Sequence, residues 1–121
     1  MEEYSFEKLL AYQSTRKLVV SVYRLMDKFP SSERYALCDQ LRRAIISVPS
    51  NIAEGSGRVS VKEKIHFLEI AFGSLMESYC QLQIAQDLGY LSADDINSIK
   101  SQIFDCSKLI SGLKKSFEAK L

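Results

Sequence analysis

The sequence predicts an all-α fold, an up-and-down antiparallel four-helix bundle. Apolar residues recur at three- and four-residue spacing in four segments, and each segment is too long for a β-strand. Short polar stretches with glycine or proline separate the segments, and short connections make sequential helices antiparallel neighbours. The chain of 121 residues is large enough for one hydrophobic core and too short for two. We therefore assign residues 1–121 to a single four-helix bundle domain.

Helix one and helix two are predicted from their apolar stripes and from the residues that flank them. We expect helix one to begin at Ser5, which would cap its first turn, and to end at Pro30. Ser31 or Ser32 should then cap helix two, and the glycines on either side of Ser56 should end it. The stripes are Leu18, Val22, Leu25 and Phe29 in helix one, and Leu37, Leu41, Ala44, Ile45, Val48 and Ile52 in helix two.

Helix three and helix four each begin at a serine that an acidic residue follows three positions later. Ser60 with Glu63 matches a capping box, and Ser92 with Asp95 repeats the arrangement. Gly89 would permit a left-handed exit from helix three. The unbroken three-four spacing in helix four is typical of packing at a small crossing angle. The stripes are Ile65, Leu68, Phe72, Leu75, Tyr79 and Leu82 in helix three, and Ile96, Ile99, Ile103, Cys106, Ile110, Leu113 and Phe117 in helix four.

Further apolar residues lie beside these stripes, and the core of one bundle has limited room for them. They favour either a wider core or an interface between subunits, and periodicity alone does not separate the two interpretations. The set is Leu9, Leu10, Val19, Phe67, Ile70, Met76, Ile84 and Phe104.

A proline within the second stripe marks the most unusual segment of the chain. Pro49 has no N–H to donate to the carbonyl of Ile45, and a proline in a helix interior costs roughly 3 kcal/mol, so we predict that helix two kinks or restarts there. Ser50 and Asn51 would cap the restarted turn, while Glu54 would accept from a nearby arginine. This polar cluster either satisfies the broken helix or forms a ligand or partner site.

The sequence does not predict a catalytic, cofactor or metal site. Glu63 and His66 match Glu-x-x-His, but a di-metal bundle needs two such motifs and His66 is the single histidine. A lone histidine among scattered serines and cysteines provides no ordered nucleophile, base and acid. The segment from Gly55 to Arg58 lacks the strand and the Gly-Lys-Ser/Thr ending of a phosphate loop.

Cysteine usage and hydropathy predict a reduced cytoplasmic protein. Cys38, Cys80 and Cys106 are odd in number and lack C-x-x-C spacing, which favours free thiols over disulfides or zinc ligands. The acidic start has no signal-peptide pattern, and no window approaches the roughly 20 apolar residues that span a bilayer. We expect no contact with a membrane.

Charge is segregated along the chain although the net charge is only +1. Residues 34–64 contain six cations and three anions, whereas residues 65–99 contain five acids and no Lys or Arg. The C-terminal part turns basic again. A basic helical face could contact phosphates, or it could pair with an acidic helix of a neighbour. The best candidates for nucleic-acid or partner contact are Arg42, Arg43 and Arg58.

From residue 40 onward the chain resembles the family of 23S ribosomal RNA intervening-sequence proteins, also described as four-helix bundle proteins. The third-helix motifs are Phe67-Leu68, Ile70-Ala71 and Gly73-Ser74-Leu75 with Glu77. The central motifs are Gln40-Leu41-Arg42-Arg43-Ala44, Ser47-Val48-Pro49, Asn51-Ile52-Ala53-Glu54-Gly55 and Arg58.

The resemblance implies an up-and-down bundle. It also implies a homopentamer, because relatives such as the accessory protein of diversity-generating retroelements form rings of five. Some family members are encoded inside insertions in bacterial large-subunit ribosomal RNA genes. The retroelement relative binds nucleic acid and a reverse transcriptase through a strongly basic surface, and a pI near 7.7 departs from that character.

Two functional hypotheses follow. The first is a non-enzymatic homo-oligomeric adaptor that binds RNA, DNA or a nucleic-acid enzyme through Arg42, Arg43 and Arg58. The alternative is a protein-interaction scaffold without nucleic-acid binding. A small-molecule or catalytic site around Asn51 and Glu54 ranks last, because these residues lack a base of tuned pKa and an evident cofactor.

Overall fold

Four α-helices occupy most of the chain in the structure, a computed structural model that describes residues 2–121. They are α1 (Leu10–Met26), α2 (Leu37–Ser56), α3 (Val61–Asp87) and α4 (Ala93–Glu118). Two short 3-10 turns, Ser5–Lys8 and Ser31–Glu33, precede α1 and α2. Residues 2–121 contain no β-strand, so the predicted all-α class is confirmed.

The helices pack in chain order around one core. α1 packs against α2 and α4, and α3 packs against the same two helices from the opposite corner. The diagonal pairs, α1 with α3 and α2 with α4, do not approach each other closely. Consecutive helices joined by short connections pack as neighbours, which is the arrangement of an up-and-down bundle. The predicted fold is therefore confirmed.

The predicted stripes form the core. In α4 the first five stripe residues are all buried, from Ile96 to Ile110, whereas Leu113 and Phe117 are half-buried near the end of the helix. In α2 the stripe from Leu41 to Ile52 is buried as well. Burying a side chain of this size contributes about 1.5–3 kcal/mol, so the core supplies the main driving force for the fold.

The predicted starts of the first two helices are wrong. Ser5 begins a 3-10 turn instead, and α1 begins only at Leu10. The turn brings the ring of Phe6 edge-on to Tyr12, with the ring centroids 4.8 Å apart. The turn also packs against α2, and this tertiary contact prevails over the local capping preference of the serine. α1 also ends earlier than predicted, at Met26 and four residues before Pro30.

The connection between α1 and α2 is shaped by a distant contact. Ser31 and Ser32 do not cap α2, which begins at Leu37 after a 3-10 turn. That turn contains Glu33, whose carboxylate accepts a 2.7 Å hydrogen bond from the hydroxyl of Tyr90 in the α3–α4 connection. The same bond raises the pKa of Tyr90, because the carboxylate favours the protonated phenol.

The connection between α3 and α4 follows the sequence prediction closely. Gly89 has φ +85°, and the N–H of Tyr90 donates to the carbonyl of Ala85, which closes α3 in a Schellman motif. Ser92 and Asp95 form the predicted capping box at the start of α4. Lys28 donates to Asp95 at 2.7 Å, and this bond holds the pKa of Asp95 below its usual value. At α3 only half of the predicted box is present, since Ser60 accepts from the Glu63 N–H at 3.3 Å.

The α2–α3 interface is the tightest contact between two helices. A Cβ atom added to Gly55 would lie 2.7 Å from the Cβ of Phe67, well inside van der Waals contact. About two turns away, the hydroxyl of Ser47 donates to that of Ser74 across the same interface. Only small residues permit backbones to approach this closely, which explains the glycine within α2.

Replacing Gly55 with Ala should lower the free energy of unfolding by about 1 kcal/mol. Overpacking costs about 2 kcal/mol at the middle of its usual range, and the helix-propensity gain of about 1 kcal/mol offsets half of that cost. Gly112 is the matched control, because it lies in α4 with nothing within 4 Å of an added Cβ. Gly112→Ala should raise stability by up to about 1 kcal/mol. Urea unfolding at one protein concentration measures both, and equal effects of the two variants would contradict the close approach.

Candidate interaction surfaces

The helix α2 continues through Pro49, so the predicted restart is wrong, while the predicted kink stays a prediction. All residues from Leu37 to Ser56 belong to one helix, with Pro49 buried inside it. The proline ring lies in a groove between α1 and α2 that Phe6, Tyr12 and Val19 also line. Packing of α2 against α1 and α3 holds the helix together on both sides of the missing hydrogen bond. The cost of the proline is thus offset by tertiary contacts that the sequence does not reveal.

The polar residues after Pro49 do not form one cluster. Asn51 is half-buried and donates through its side-chain amide to the carbonyl of Ser47 at 2.7 Å. Ser50 is exposed at the groove between α1 and α2, while the exposed Glu54 lies 3.6 Å from Arg58. Within residues 2–121 no hydrogen bond joins Ser50, Asn51 and Glu54 to one another. The structure therefore does not bring these three residues together as a pocket.

The three candidate arginines lie at the two ends of α2. Arg42 and Arg58 are separated by most of the helix, a rise of about 24 Å. Both Arg42 and Arg43 approach Asp39, at 3.7 and 3.3 Å, and Arg42 also donates to the carbonyl of Arg34 at 3.1 Å. Each candidate cation already has an acidic neighbour. In one subunit they do not make a continuous basic face.

Arg58 has a second contact, which is aromatic. Its guanidinium carbon lies 4.8 Å from the centroid of the Phe67 ring, so it stacks on the α3 helix as well as pairing with Glu54. These contacts hold Arg58 against the bundle at the α2–α3 connection. The role they support directly is structural.

His66 lies on the outer side of α3, edge-on to the ring of Phe67. In residues 2–121 no three His, Cys, Asp or Glu side chains come close enough to hold a metal ion between them. Glu63 belongs to the start of α3, where its N–H bonds Ser60.

A groove lies on the outside of the bundle between α3 and α4. Its volume is about 580 Å³ and its floor is apolar. Phe104, with 56% of its surface exposed, lines the groove from α4, and Met76 lines it from α3. The groove contains no acidic residue. It is lined by Phe72, Met76, Tyr79, Asn97, Lys100, Ser101, Ile103, Phe104 and Ser107.

Two lysines flank Phe104 at this groove, which we call the α3–α4 groove. Lys100 lies four residues before it, and Lys108 lies four residues after it with its Nζ 4.4 Å from the ring centroid. Sequence analysis identified Phe104 as a surplus apolar residue but missed the lysines as part of a site. The signal was the Lys-Phe-Lys spacing of four and four, which places all three on one helical face.

The surplus apolar residues divide into two groups. Leu9 and Val19 are half-buried against the core and widen it, whereas Phe67 is half-buried beside Gly55. Others remain exposed to different degrees on the outside of the bundle, and these are Leu10, Ile70, Met76, Ile84 and Phe104. A monomer rarely exposes several large apolar side chains on neighbouring helices without using them for contact.

None of the helices in the described part of the chain combines the length and apolarity that crossing a bilayer requires.

Fold and surface together define a helical-bundle protein with apolar and charged faces open for interaction. The chain belongs to the family of 23S rRNA-intervening sequence proteins, whose model matches residues 7–112. It is similar to a crystal structure from Bacteroides thetaiotaomicron, described as a protein with unknown function from the S23 ribosomal protein family. The two share 20% identity at a TM-score of 0.79, over 88% of this chain and 96% of the other. This likeness shows the fold alone. No curated protein matches the chain significantly.

Replacing Pro49 with Ala should raise the free energy of unfolding by about 1–2 kcal/mol. Removing the proline relieves a cost of about 3 kcal/mol, while losing two buried methylenes costs about 1.6 kcal/mol. Pro30→Ala, at an exposed site outside the α-helices, is the control and should change stability little. Chemical unfolding monitored by circular dichroism measures the difference, and a less stable Pro49→Ala variant would show that the groove needs the ring.

Proposed function

We propose that the protein is a non-enzymatic, homo-oligomeric adaptor that binds an acidic amphipathic helix of a protein partner in the α3–α4 groove. The observation that carries the proposal is the groove itself, with an apolar floor around Phe104 and lysines along its edge. Following the family resemblance, we propose a pentamer. The proposal favours the scaffold hypothesis over one based on Arg42, Arg43 and Arg58.

The shape and chemistry of the groove support this partner class. A helix that docks into a groove between two helices buries one apolar face and leaves its charged face at the rim. Phe104 and Met76 would contact the apolar face, and Lys100 with Lys108 would attract acidic residues beside it. Aromatic residues at the centre of an interface carry a large share of binding energy, so Phe104 is the expected anchor.

The placement of the single histidine supports a non-enzymatic role. His66 contacts Phe67 on the outer side of α3, and within residues 2–121 no hydrogen bond links it to a serine or cysteine. Nucleophilic catalysis needs a nucleophile and a base within hydrogen-bond reach. The proposed activity is therefore binding.

A synthetic helical peptide with leucines on one face and glutamates on the other tests the groove. We expect Phe104→Ala to weaken binding by at least about tenfold, because truncation of a central aromatic anchor costs about 2 kcal/mol or more. Tyr35→Ala is the matched control, since Tyr35 is 86% exposed but lies outside the groove. Fluorescence anisotropy of the labelled peptide measures affinity. Equal binding by both variants, or by a peptide with lysines in place of glutamates, would reject the proposal.

Nucleic-acid binding is the second candidate, and one observation favours it. Lys100 and Lys108 lie beside an exposed aromatic ring with no acid in the groove, an arrangement that suits phosphates next to a stacked base. The arginines are weaker candidates because each lies within 4 Å of a carboxylate. We therefore move the proposed contact from Arg42, Arg43 and Arg58 to the α3–α4 groove.

Salt dependence of single-stranded RNA binding tests this candidate. Each phosphate contact contributes about −0.7 to the slope of log affinity against log salt, so replacing Lys100 and Lys108 with Ala should reduce the slope by about 1.4 per groove. The control variant carries Ala at Arg42, Arg43 and Arg58 and should keep the slope. If the salt dependence of binding falls only in the arginine variant, the phosphate contacts are made by the arginines instead. If the wild-type protein does not bind RNA at low salt, this candidate is excluded.

A further inference from the structure

We propose that a second copy of the chain docks the outer face of its α1 onto the outer face of α3, in a head-to-tail contact that repeats from subunit to subunit. This inference rests on the proposed self-association and names the surfaces that mediate it. It does not involve the α3–α4 groove, and of the candidate arginines only Arg43 lies beside this surface, where it lines a shallow pocket together with Glu77.

Opposite charges on α1 and α3 provide the first argument. α1 contains Arg16, Lys17 and Arg24 and no acidic residue. After Lys64, α3 contains only acids among its Asp, Glu, Lys and Arg residues, namely Glu69, Glu77 and Asp87. Complementary potentials of this kind set the orientation and partner of an interface.

The bundle keeps these two helices apart within one subunit. α1 and α3 occupy diagonal corners and do not approach each other, so their charges cannot neutralise one another inside the chain. Glu69 lies 3.9 Å from Lys114, whereas Glu77 and Asp87 have no ion pair within residues 2–121. The cations of α1 likewise have no acidic partner in that range, although Arg16 lies 5.5 Å from the Tyr12 ring.

Apolar residues on the same two faces provide the second argument. On α3, Ile70 and Ile84 are 39% and 44% exposed, and they lie two heptads apart with Gly73 and Cys80 between them. Exposed residues on this face follow three-four spacing, as in the seam of a coiled coil. The series is His66, Ile70, Gly73, Glu77, Cys80, Ile84 and Asp87.

The outer face of α1 has a matching character. Val20 is 49% exposed and Tyr23 is 37% exposed, with Arg16, Lys17 and Arg24 around them. Both faces therefore combine exposed apolar side chains with charges of opposite sign, and on α3 the acid Glu77 lies between Ile70 and Ile84. A helix from a second copy would cover the apolar side chains and pair the charges.

The direction of the contact follows from the charges. A symmetric contact through α3 alone would place acids against acids, and one through α1 alone would place cations against cations. Contact between α1 of one copy and α3 of the next avoids both. Because the two surfaces differ, each docked copy presents a free surface to a further copy, which produces a closed ring or an open chain instead of a two-fold dimer.

Cysteine cross-linking separates these arrangements. Cys80 is exposed on the α3 face, while Cys38 and Cys106 are buried, and burial raises the pKa of Cys106 to about 11. A Val20→Cys variant treated with a short bismaleimide should therefore form covalent dimers, trimers and larger species, since each chain carries both halves of the contact. Tyr35→Cys is the matched control and should form no ladder. Val20→Cys combined with Cys80→Ser should also form none.

Other cross-linking outcomes overturn the proposal. Dimers from the wild-type protein through Cys80 alone would indicate a symmetric contact through α3. Dimers from Val20→Cys combined with Cys80→Ser would indicate a symmetric contact through α1. Light scattering of the wild-type protein at tens of micromolar distinguishes a protein that does not self-associate from one that self-associates through other surfaces. A mass equal to that of one 13.7 kDa chain would reject self-association itself, whereas an oligomer without a ladder would reject only the α1–α3 contact.

Charge reversal provides a test that does not depend on cross-linking chemistry. A variant with Arg16→Glu, Lys17→Glu and Arg24→Glu should dissociate the oligomer, because acidic faces would then meet acidic faces. Adding Glu77→Lys and Asp87→Lys to the same chain should restore assembly, while circular dichroism confirms that every variant remains helical. Dissociation without restoration would assign the effect to something other than pairing between these faces. An oligomer that the first reversal leaves intact would overturn the proposal.

Discussion

The close packing of α2 against α3 is the constraint on which the rest of the structure depends. Gly55 allows the backbone of α2 to approach the Phe67 side chain, and Ser47 meets Ser74 across the same interface. Small residues at these positions permit a contact that larger ones would prevent. With α2 held in this way, Pro49 stays within one continuous helix, because neighbouring helices supply the stability that its missing hydrogen bond removes.

The same packing determines which side chains are left for partners. The amide of Asn51 in α2 donates to the carbonyl of Ser47, and Arg58, just after α2, pairs with Glu54. The surfaces that we propose for binding lie elsewhere, in the α3–α4 groove and on the outer faces of α1 and α3. The proposed binding would use exposed apolar side chains such as Phe104.

Sequence reasoning located the candidate site less well than the fold. A count of cations along residues 34–64 groups Arg42, Arg43 and Arg58 together. In the structure, about 24 Å along the helix axis separates Arg42 from Arg58. Lys100, Phe104 and Lys108 were present in the sequence with helical spacing. They form part of a candidate site only because α3 places Met76 and Tyr79 on the other side of the groove. A surface formed by two helices depends on their relative rotation, which neither helix encodes alone.

The sequence by itself determined the four helices, their cyclic order and most of their core, because apolar periodicity and short connections are local properties with one simple packing solution. It also determined the α3–α4 connection, where Gly89 and the Ser92–Asp95 box act within a few residues. Only the tertiary structure decided where α1 and α2 begin and whether Pro49 breaks its helix. Those outcomes depend on the packing of the first 3-10 turn against α2, on the hydrogen bond between Glu33 and Tyr90, and on the helices that flank α2. Contacts between distant residues outweighed local preferences there, since a single cap contributes only about 1 kcal/mol.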